Sequence, residues 1–295
     1  MRSLALVVLF GFAIPGGTPD LDSAAAARDD RSAAATAARH SSVATSVAAP
    51  QTVDIETKDF SIVLPAHIPT GLLKFTLHNL GKEPHEVRFI RLAGGHTFDD
   101  FTAWQKSNQP IPEWLSPAGG IGAVSPGLTQ DYWVSLEPGA YVVLCSYPSE
   151  DGSSHTGKGQ FAPLTVDKAS GNGTTTMPEA DVTVSLMDHH FQLTAPFESH
   201  HPLVHLRNVG SEPHQALIVR VTDEGQQYPE LAWFDHGGKG HRPGMPIAGS
   251  ADVPADGEAW FQANLTPGRY LMLCSQSEED GRHYELGMVY AFTVE

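Results

Sequence analysis

"VHLRNVGSEPHQALIVRV", Val204 to Val221, reads as a strand, an Asn-x-Gly turn and a second strand opened by His214. Much the same text stands earlier as "FTLHNLGKEPHEVRFIRL", Phe75 to Leu92. Asn79 matches Asn208, Gly81 matches Gly210, and Glu83-Pro84-His85 matches Glu212-Pro213-His214, all at an offset of 129 residues. The same offset relates "LEPGAYVVLCS" (Leu136 to Ser146) to "LTPGRYLMLCS" (Leu265 to Ser275). It also pairs Trp104 with Trp233, inside two segments that could each form a short helix. Beyond the cysteines the offset falls to 128, which pairs His155 with His283 and Thr165-Val166 with Thr293-Val294. One residue has been lost from the second loop. Agreement over such a length is duplication. It predicts two copies of one domain, at residues 51–167 and 180–295, joined by a polar, Gly/Thr-rich linker at 168–179.

Each copy is a series of short strands. "VDIETKDF" and "DVTVSLMD" alternate apolar and polar residues, and "KFTLHNL", "HQALIVRV", "AYVVLC" and "VYAFTVE" are rich in β-branched and aromatic side chains. "EPGAY" and "TPGRY" are Pro-Gly turns that lead into strands. With 28 glycines, 22 prolines and only 18% charged residues, the composition suits a turn-rich all-β protein, a sandwich or barrel in each copy.

The chain of 295 residues carries a formal net charge of −16. Such a surface repels nucleic acid and anionic lipid, and it suits a basic protein partner, although most surface charge serves solubility. The start combines Arg2 with an apolar run from Leu4 to Ile14, too short to span a bilayer and suited to a secretory signal. Residues 1–27 are therefore expected to be a signal peptide with an uncertain cut site. Residues 28–50, Ala/Ser-rich and nearly free of large apolar side chains, are expected to be a disordered spacer. No other segment is long and apolar enough to anchor the chain in a membrane. The expected protein is exported, periplasmic or extracellular, and its oligomeric state cannot be read from the sequence.

Each copy places a histidine after Glu-Pro, a cysteine 60 residues later at the end of a strand, and a second histidine after a loop. In the second copy these are His214, Cys274 and His283, with Met288 five residues further on. Two imidazoles, a thiolate and a weak thioether are the donor set of a blue-copper electron-transfer site. Thiolate and thioether favour Cu(I), while imidazoles also suit Cu(II). The first copy offers His85, Cys145, His155 and, in place of the methionine, Gln160, which can also serve as a weak axial donor.

With these residues the chain resembles the cupredoxin family, the plastocyanin and azurin group. "NVGSEPH" (Asn208 to His214) is similar to the family's Asn…Pro-His stretch, and "PGRYLMLCSQSEEDGRHYELGM" (Pro267 to Met288) to its Pro-Gly-x-Tyr…Cys…His…Met stretch. The resemblance implies two tandem Greek-key β-sandwiches, each with a short inserted helix, one and at most two type 1 copper ions, and single-electron exchange with a redox partner protein. One departure is the loop between cysteine and second histidine, which holds nine residues in the first copy and eight in the second, against a few in the family.

Other readings stay open. The two cysteines could form a Cys145–Cys274 disulfide in an exported chain, or each could be a small buried hydrophobe in a metal-free binding scaffold. A non-redox protein that stores or delivers copper would use the same donors. An accessory metal patch could form from His189, His190, His200, His201, His236 and His241. A multicopper oxidase places histidines directly beside the copper cysteine. Here Cys274 lies between Leu273 and Ser275, and Cys145 between Leu144 and Ser146, so an oxidase is not expected. The chain also lacks the Gly-x-Ser-x-Gly elbow of serine hydrolases.

Overall fold

A computed structural model describes residues 50–107, 109–168, 176–177, 179–222, 229–235, 237–240, 242–278 and 281–295. The expected signal peptide, the spacer up to residue 49 and most of the expected linker lie outside the described residues. The first copy comprises β1 (Gln51–Lys58), β2 (Ser61–Val63), β3 (His67–Pro69), β4 (Gly71–Asn79), β5 (His85–Leu92), α1 (Phe98–Gln105), β6 (Leu115–Val124), β7 (Thr129–Leu136), β8 (Gly139–Leu144) and β9 (Phe161–Asp167). The second comprises β10 (Val182–Met187), β11 (His190–Leu193), β12 (Leu203–Asn208), β13 (His214–Val221), α2 (Pro229–Asp235), β14 (Gly244–Val253), β15 (Glu258–Gln262), β16 (Gly268–Leu273), β17 (Ser277–Glu278), β18 (Gly281–Arg282) and β19 (Val289–Val294). This is the expected all-β tandem sandwich, with a short helix in each copy.

The alternation read from the sequence is the alternation of burial. In β1, Val53, Ile55 and Thr57 point inward while their neighbours face solvent. Phe75, Leu77, Phe89, Tyr132 and Val143 of the first copy join Val184, Leu206, Ile218, Phe261 and Met272 of the second in one continuous apolar cluster. Burying one such side chain is worth about 1.5–3 kcal/mol. The Pro-Gly turns end on tyrosines whose hydroxyls donate back to the turn: Tyr141 to Glu137 O at 2.7 Å and Tyr270 to Thr266 O at 2.6 Å. Helix α1 begins with a capping box between Thr97 and Asp100 and buries Phe101 against Phe161 and Val142.

The copies do not merely follow one another. One sheet runs β11-β10-β12-β15-β7-β4-β1-β2, the other β19-β16-β13-β14-β6-β5-β8-β9-β3. Apart from β3, both orders are palindromes of the repeat. The joins are antiparallel pairs in which a residue meets its own counterpart: Ile121 pairs with Ser250, and Tyr132 with Phe261. A pseudo-two-fold axis therefore passes through the interface, as in an isologous dimer. A Cβ on Gly122 would stand 2.9 Å from the Gly249 carbonyl carbon, so the crossing strands need glycine there. Gln130 Nε2 donates to Gly249 O at 2.5 Å and Ser125 Oγ to Pro246 O at 2.9 Å, tying the halves together. The described residues from 50 to 295 accordingly form one compact unit.

Candidate metal centre

The Asn-x-Gly turns set the first histidine of each copy. Asn79 Nδ2 donates to Glu83 O at 2.9 Å and to Val124 O at 2.8 Å, while its Oδ1 accepts from Gly81 N at 2.9 Å. Asn208 repeats this with Glu212 O, Val253 O and Gly210 N at 2.7, 2.8 and 2.9 Å. His85 and His214 then open β5 and β13 at full burial. The cysteines follow the last residues of β8 and β16, also fully buried.

The long loops fold back on themselves instead of displacing the second histidine. In the first copy Ser149 N donates to Ser153 O at 2.9 Å and His155 N to Tyr147 O at 3.1 Å. In the second, β17 and β18 pair as a small hairpin, and His283 N donates to Gln276 O at 2.9 Å. Thr156 Oγ1 bonds Cys145 O at 2.7 Å, and Tyr284 N bonds Cys274 O at 3.1 Å, so each loop is sutured to its cysteine. The extra residues project outward and leave the returning histidine in register.

His85, Cys145 and His155 form one cluster, and His214, Cys274 and His283 another, with donor atoms within 4.8 Å of one another in each. In both, the two Nδ1 atoms face each other at 3.0 Å. Cys145 Sγ lies 3.4 Å from His155 Nδ1 and 4.0 Å from His85 Nδ1; Cys274 Sγ lies 3.5 Å from His283 Nδ1. The outer nitrogens meet carboxylates: His85 Nε2 with Asp59 at 2.9 Å, His155 Nε2 with Glu83 at 3.0 Å, and His214 Nε2 with Asp188 at 2.9 Å. His283 Nε2 stands 3.5 Å from Glu212 Oε2.

A carboxylate only accepts, so Nε2 of His85, His155 and His214 carries the proton and the Nδ1 of each is left as an acceptor. Two such lone pairs at 3.0 Å, as in the first centre, repel unless a cation stands between them. The thiol proton can serve one of them. Backbone amides already reach the sulfurs, Glu86 N to Cys145 Sγ at 3.4 Å and Gln215 N to Cys274 Sγ at 3.3 Å. These donors suit a thiolate.

Protonation follows from burial. Desolvation lowers His85 and His155 below the usual imidazole value, and it outweighs the hydrogen bonds from Asp59 and Glu83 that favour the charged form. Burial, with Glu86 as a secondary cause, holds the Cys145 thiol far above its ordinary range, and burial pushes Cys274 up to about 12. Asp188 is lowered chiefly by the His214 hydrogen bond. Burial works against Asp59, but hydrogen bonds from Lys82 N and His85 outweigh it and lower Asp59 as well. In the first centre both imidazoles and the thiol are therefore neutral and buried.

The glycine of each turn makes room for the outer pair. A Cβ on Gly81 would lie 2.5 Å from both His85 Nε2 and Asp59 Oδ1, and one on Gly210 would lie 2.7 Å from His214 Nε2. Gln160 and Met288 occupy equivalent places, each bonded through its carbonyl oxygen to the amide of its cysteine at 3.2 Å. Met288 is fully buried in the cluster that holds Cys274. Gln160 Nε2 donates to Lys58 O and Ser61 O at 3.0 and 3.2 Å. Its buried Oε1 accepts no well-formed hydrogen bond, although the side chain lies near enough to His85 to favour its protonation.

Both cysteines are free, which removes the disulfide alternative: Cys274 lies in the main apolar cluster, and Cys145 in a separate one that it shares with Leu217, Trp233 and Leu271 of the second copy. Among the described residues no third cluster of metal-donor type forms. His200 Nε2 instead meets Glu295 O at 3.0 Å, and His201 Nδ1 meets Asn264 Oδ1 at 2.9 Å. His189 stacks edge-on against His283 at 5.7 Å, where the first copy has Phe60 against His155 at 4.9 Å. His190 is exposed in β11, and His236 and His241 lie outside the described residues. The sequence reading missed Asp59, Asp188, Glu83 and Glu212. The signal was present, since both pairs obey the 129-residue offset.

The two sandwiches with their His-Cys-His clusters are cupredoxin-like. No family model and no curated protein matches the sequence. Among solved structures, a dithionite-reduced auracyanin from the photosynthetic bacterium Roseiflexus castenholzii is 20% identical over 41% of this chain and 99% of its own, with a TM-score of 0.29. A multicopper oxidase is 14% identical over 83% of this chain and 88% of its own, with a TM-score of 0.26. A copper-containing nitrite reductase from Thermus scotoductus is 13% identical over 83% of this chain and 61% of its own, with a TM-score of 0.23. Likeness this distant does not separate a carrier from an enzyme.

Proposed function

We propose that this protein binds copper and carries single electrons. His214, Cys274 and His283 would hold one ion with Met288 as the weak axial donor, and His85, Cys145 and His155 would hold a second with Gln160 in that role. The observation that carries the reading is the pair of Nδ1 atoms facing each other at 3.0 Å beside a buried thiol, made twice. That donor set satisfies the soft and borderline preferences of copper. The orphaned Oε1 of Gln160 suits an axial oxygen donor in the first copy.

Copper would supply a one-electron couple there. The chain's own part is to hold the donors still. Carboxylates fix all four imidazoles through Nε2, the amides of Glu86 and Gln215 steady the sulfurs, and burial keeps water out. A donor set that need not move between oxidation states favours electron transfer over storage, which requires easy release. Leu and Ser beside each cysteine leave no adjacent imidazole for a neighbouring ion, which supports a carrier over an oxidase. The charge of −16 favours a basic redox partner, and the apolar run at Leu4–Ile14 supports export.

The test is a Cu(II) titration of the purified protein, read by visible absorption and metal analysis together. Two ions per chain and an intense thiolate-to-copper band that bleaches on mild reduction are expected. Copper bound without that band would mean capture by histidines alone, and no copper bound would leave a scaffold.

A further inference from the structure

The pseudo-two-fold interface carries a buried charge cluster that has no counterpart across the axis. Glu86, Arg88 and Asp252 stand where the other copy has Gln215, Leu217 and Ala123. Arg88 Nε donates to Glu86 Oε1 at 2.8 Å, and its Nη1 crosses the interface to Asp252 Oδ2 at 2.8 Å. The three side chains are largely buried, with 18%, 7% and 5% exposed for Arg88, Glu86 and Asp252. Burial works against the guanidinium charge, but Asp252 and Glu86 more than offset it and hold Arg88 protonated.

Both ends of this bridge terminate on a cysteine centre. Glu86 follows His85, sends its amide to Cys145 Sγ at 3.4 Å, and accepts from Ser146 Oγ at 2.7 Å. Asp252 accepts from Gln215 Nε2 at 2.9 Å, and from Gln276 as well. Gln215 follows His214 and sends its amide to Cys274 Sγ at 3.3 Å. An unbroken hydrogen-bonded chain thus runs from one sulfur to the other with a single cation in it. The strands holding the two histidines, β5 and β13, are separated only by β6 and β14. Three strand spacings of about 4.8 Å across the sheet, together with about six residues along it because Val124 and Val253 lie on opposite sides of the Ile121–Ser250 pair, put the two histidine strands' ends on the order of 25 Å apart, with Arg88 between them.

We propose that Arg88 is a positioning residue shared by both centres: one buried guanidinium, tied through Glu86 to the first and through Asp252 to the second, sets the reduction equilibrium of both together. This rests on the copper reading above. A fixed positive charge stabilises the reduced, less positive state of each centre. At about 12 Å and an effective dielectric of about 20, the effect is on the order of tenfold in the ratio of reduced to oxidised centre. A shift equal at both centres raises the two potentials together and leaves the difference between them unchanged.

The experiment is spectroelectrochemistry of the copper-loaded full chain. The first centre is read in a Cys274→Ser background and the second in a Cys145→Ser background. Arg88→Leu should lower the reduced-to-oxidised ratio about tenfold at both centres, and Arg88→Lys should restore each to within about threefold. Arg88→Leu leaves Asp252 buried and unpaired, so Arg88→Leu combined with Asp252→Ala is made beside it. Each position then takes the residue its counterpart already carries. In that variant the first centre should still fall, because Glu86 stays, while the second should move less than twofold, because cation and anion leave together. A shift confined to one centre in Arg88→Leu, or none in either, overturns the proposal while leaving the copper reading intact. Absence of any thiolate band in the unaltered protein overturns both.

Discussion

Loading copper into this protein should expel one proton per ion, and the proton should come from sulfur. Burial pushes the Cys274 thiol up to about 12 and holds Cys145 higher still, so both are protonated throughout pH 7–9. His85 and His155 are lowered by the same burial, so at pH 8 the first centre has no imidazolium proton to lose. A metal that takes the thiolate must therefore displace a single proton there. The apparent affinity rises with pH, tenfold or about 1.4 kcal/mol per unit, as long as the thiol stays protonated in the metal-free state. The assay is calorimetry at pH 8 in two buffers of different ionisation enthalpy, together with competition titrations at pH 7, 8 and 9. A count near zero with a flat profile would refute the argument, because it would place the ion on the histidines alone. A count near two at the first centre would mean that its imidazoles are charged and that the tautomer assignment is wrong.

Cys274→Ala should abolish the thiolate-to-copper band of the second centre and leave that of the first; survival of full intensity would sink the assignment. Gly81→Ala drives a Cβ into His85 Nε2 and Asp59, and should weaken copper at the first centre by about 10–100-fold with the second unchanged, as read by competition with a chelator. The metal-free protein should lose stability in alkali. A native thiol held up to about 12 against an ordinary 9.0 contributes stability below pH 9 that fades as pH rises toward 12, by at most about 1.4 kcal/mol per unit. Urea midpoints between pH 8 and 10 should therefore fall more steeply for the unaltered chain than for Cys274→Val.

Much of this molecule was legible in one dimension. The 129-residue offset shows the duplication, and alternation shows strands such as β1 and β10, because a half-buried strand must alternate. The donor types could be read too, since the chain has only two cysteines and each stands at the same point of a repeat that also carries two histidines. Even the outer carboxylates at Asp59 and Glu83, though missed, were there to be found, because they repeat at Asp188 and Glu212.

What the sequence by itself determined is therefore everything carried by local pattern or by repetition: the strands, the Asn-x-Gly and Pro-Gly turns, and the identity of six donors. Tertiary structure alone decided that the long loops fold back as hairpins, that all four Nδ1 atoms turn inward, and that the copies face each other across a two-fold. It alone joined Arg88 to Asp252, residues 164 positions apart. The reason is physical. Pattern fixes which face of a strand is apolar, but how two finished sheets dock depends on shape and charge across the whole surface. The residues that make this interface, Arg88 and Asp252 above all, are those where the two copies differ, so repetition gives no sign of them.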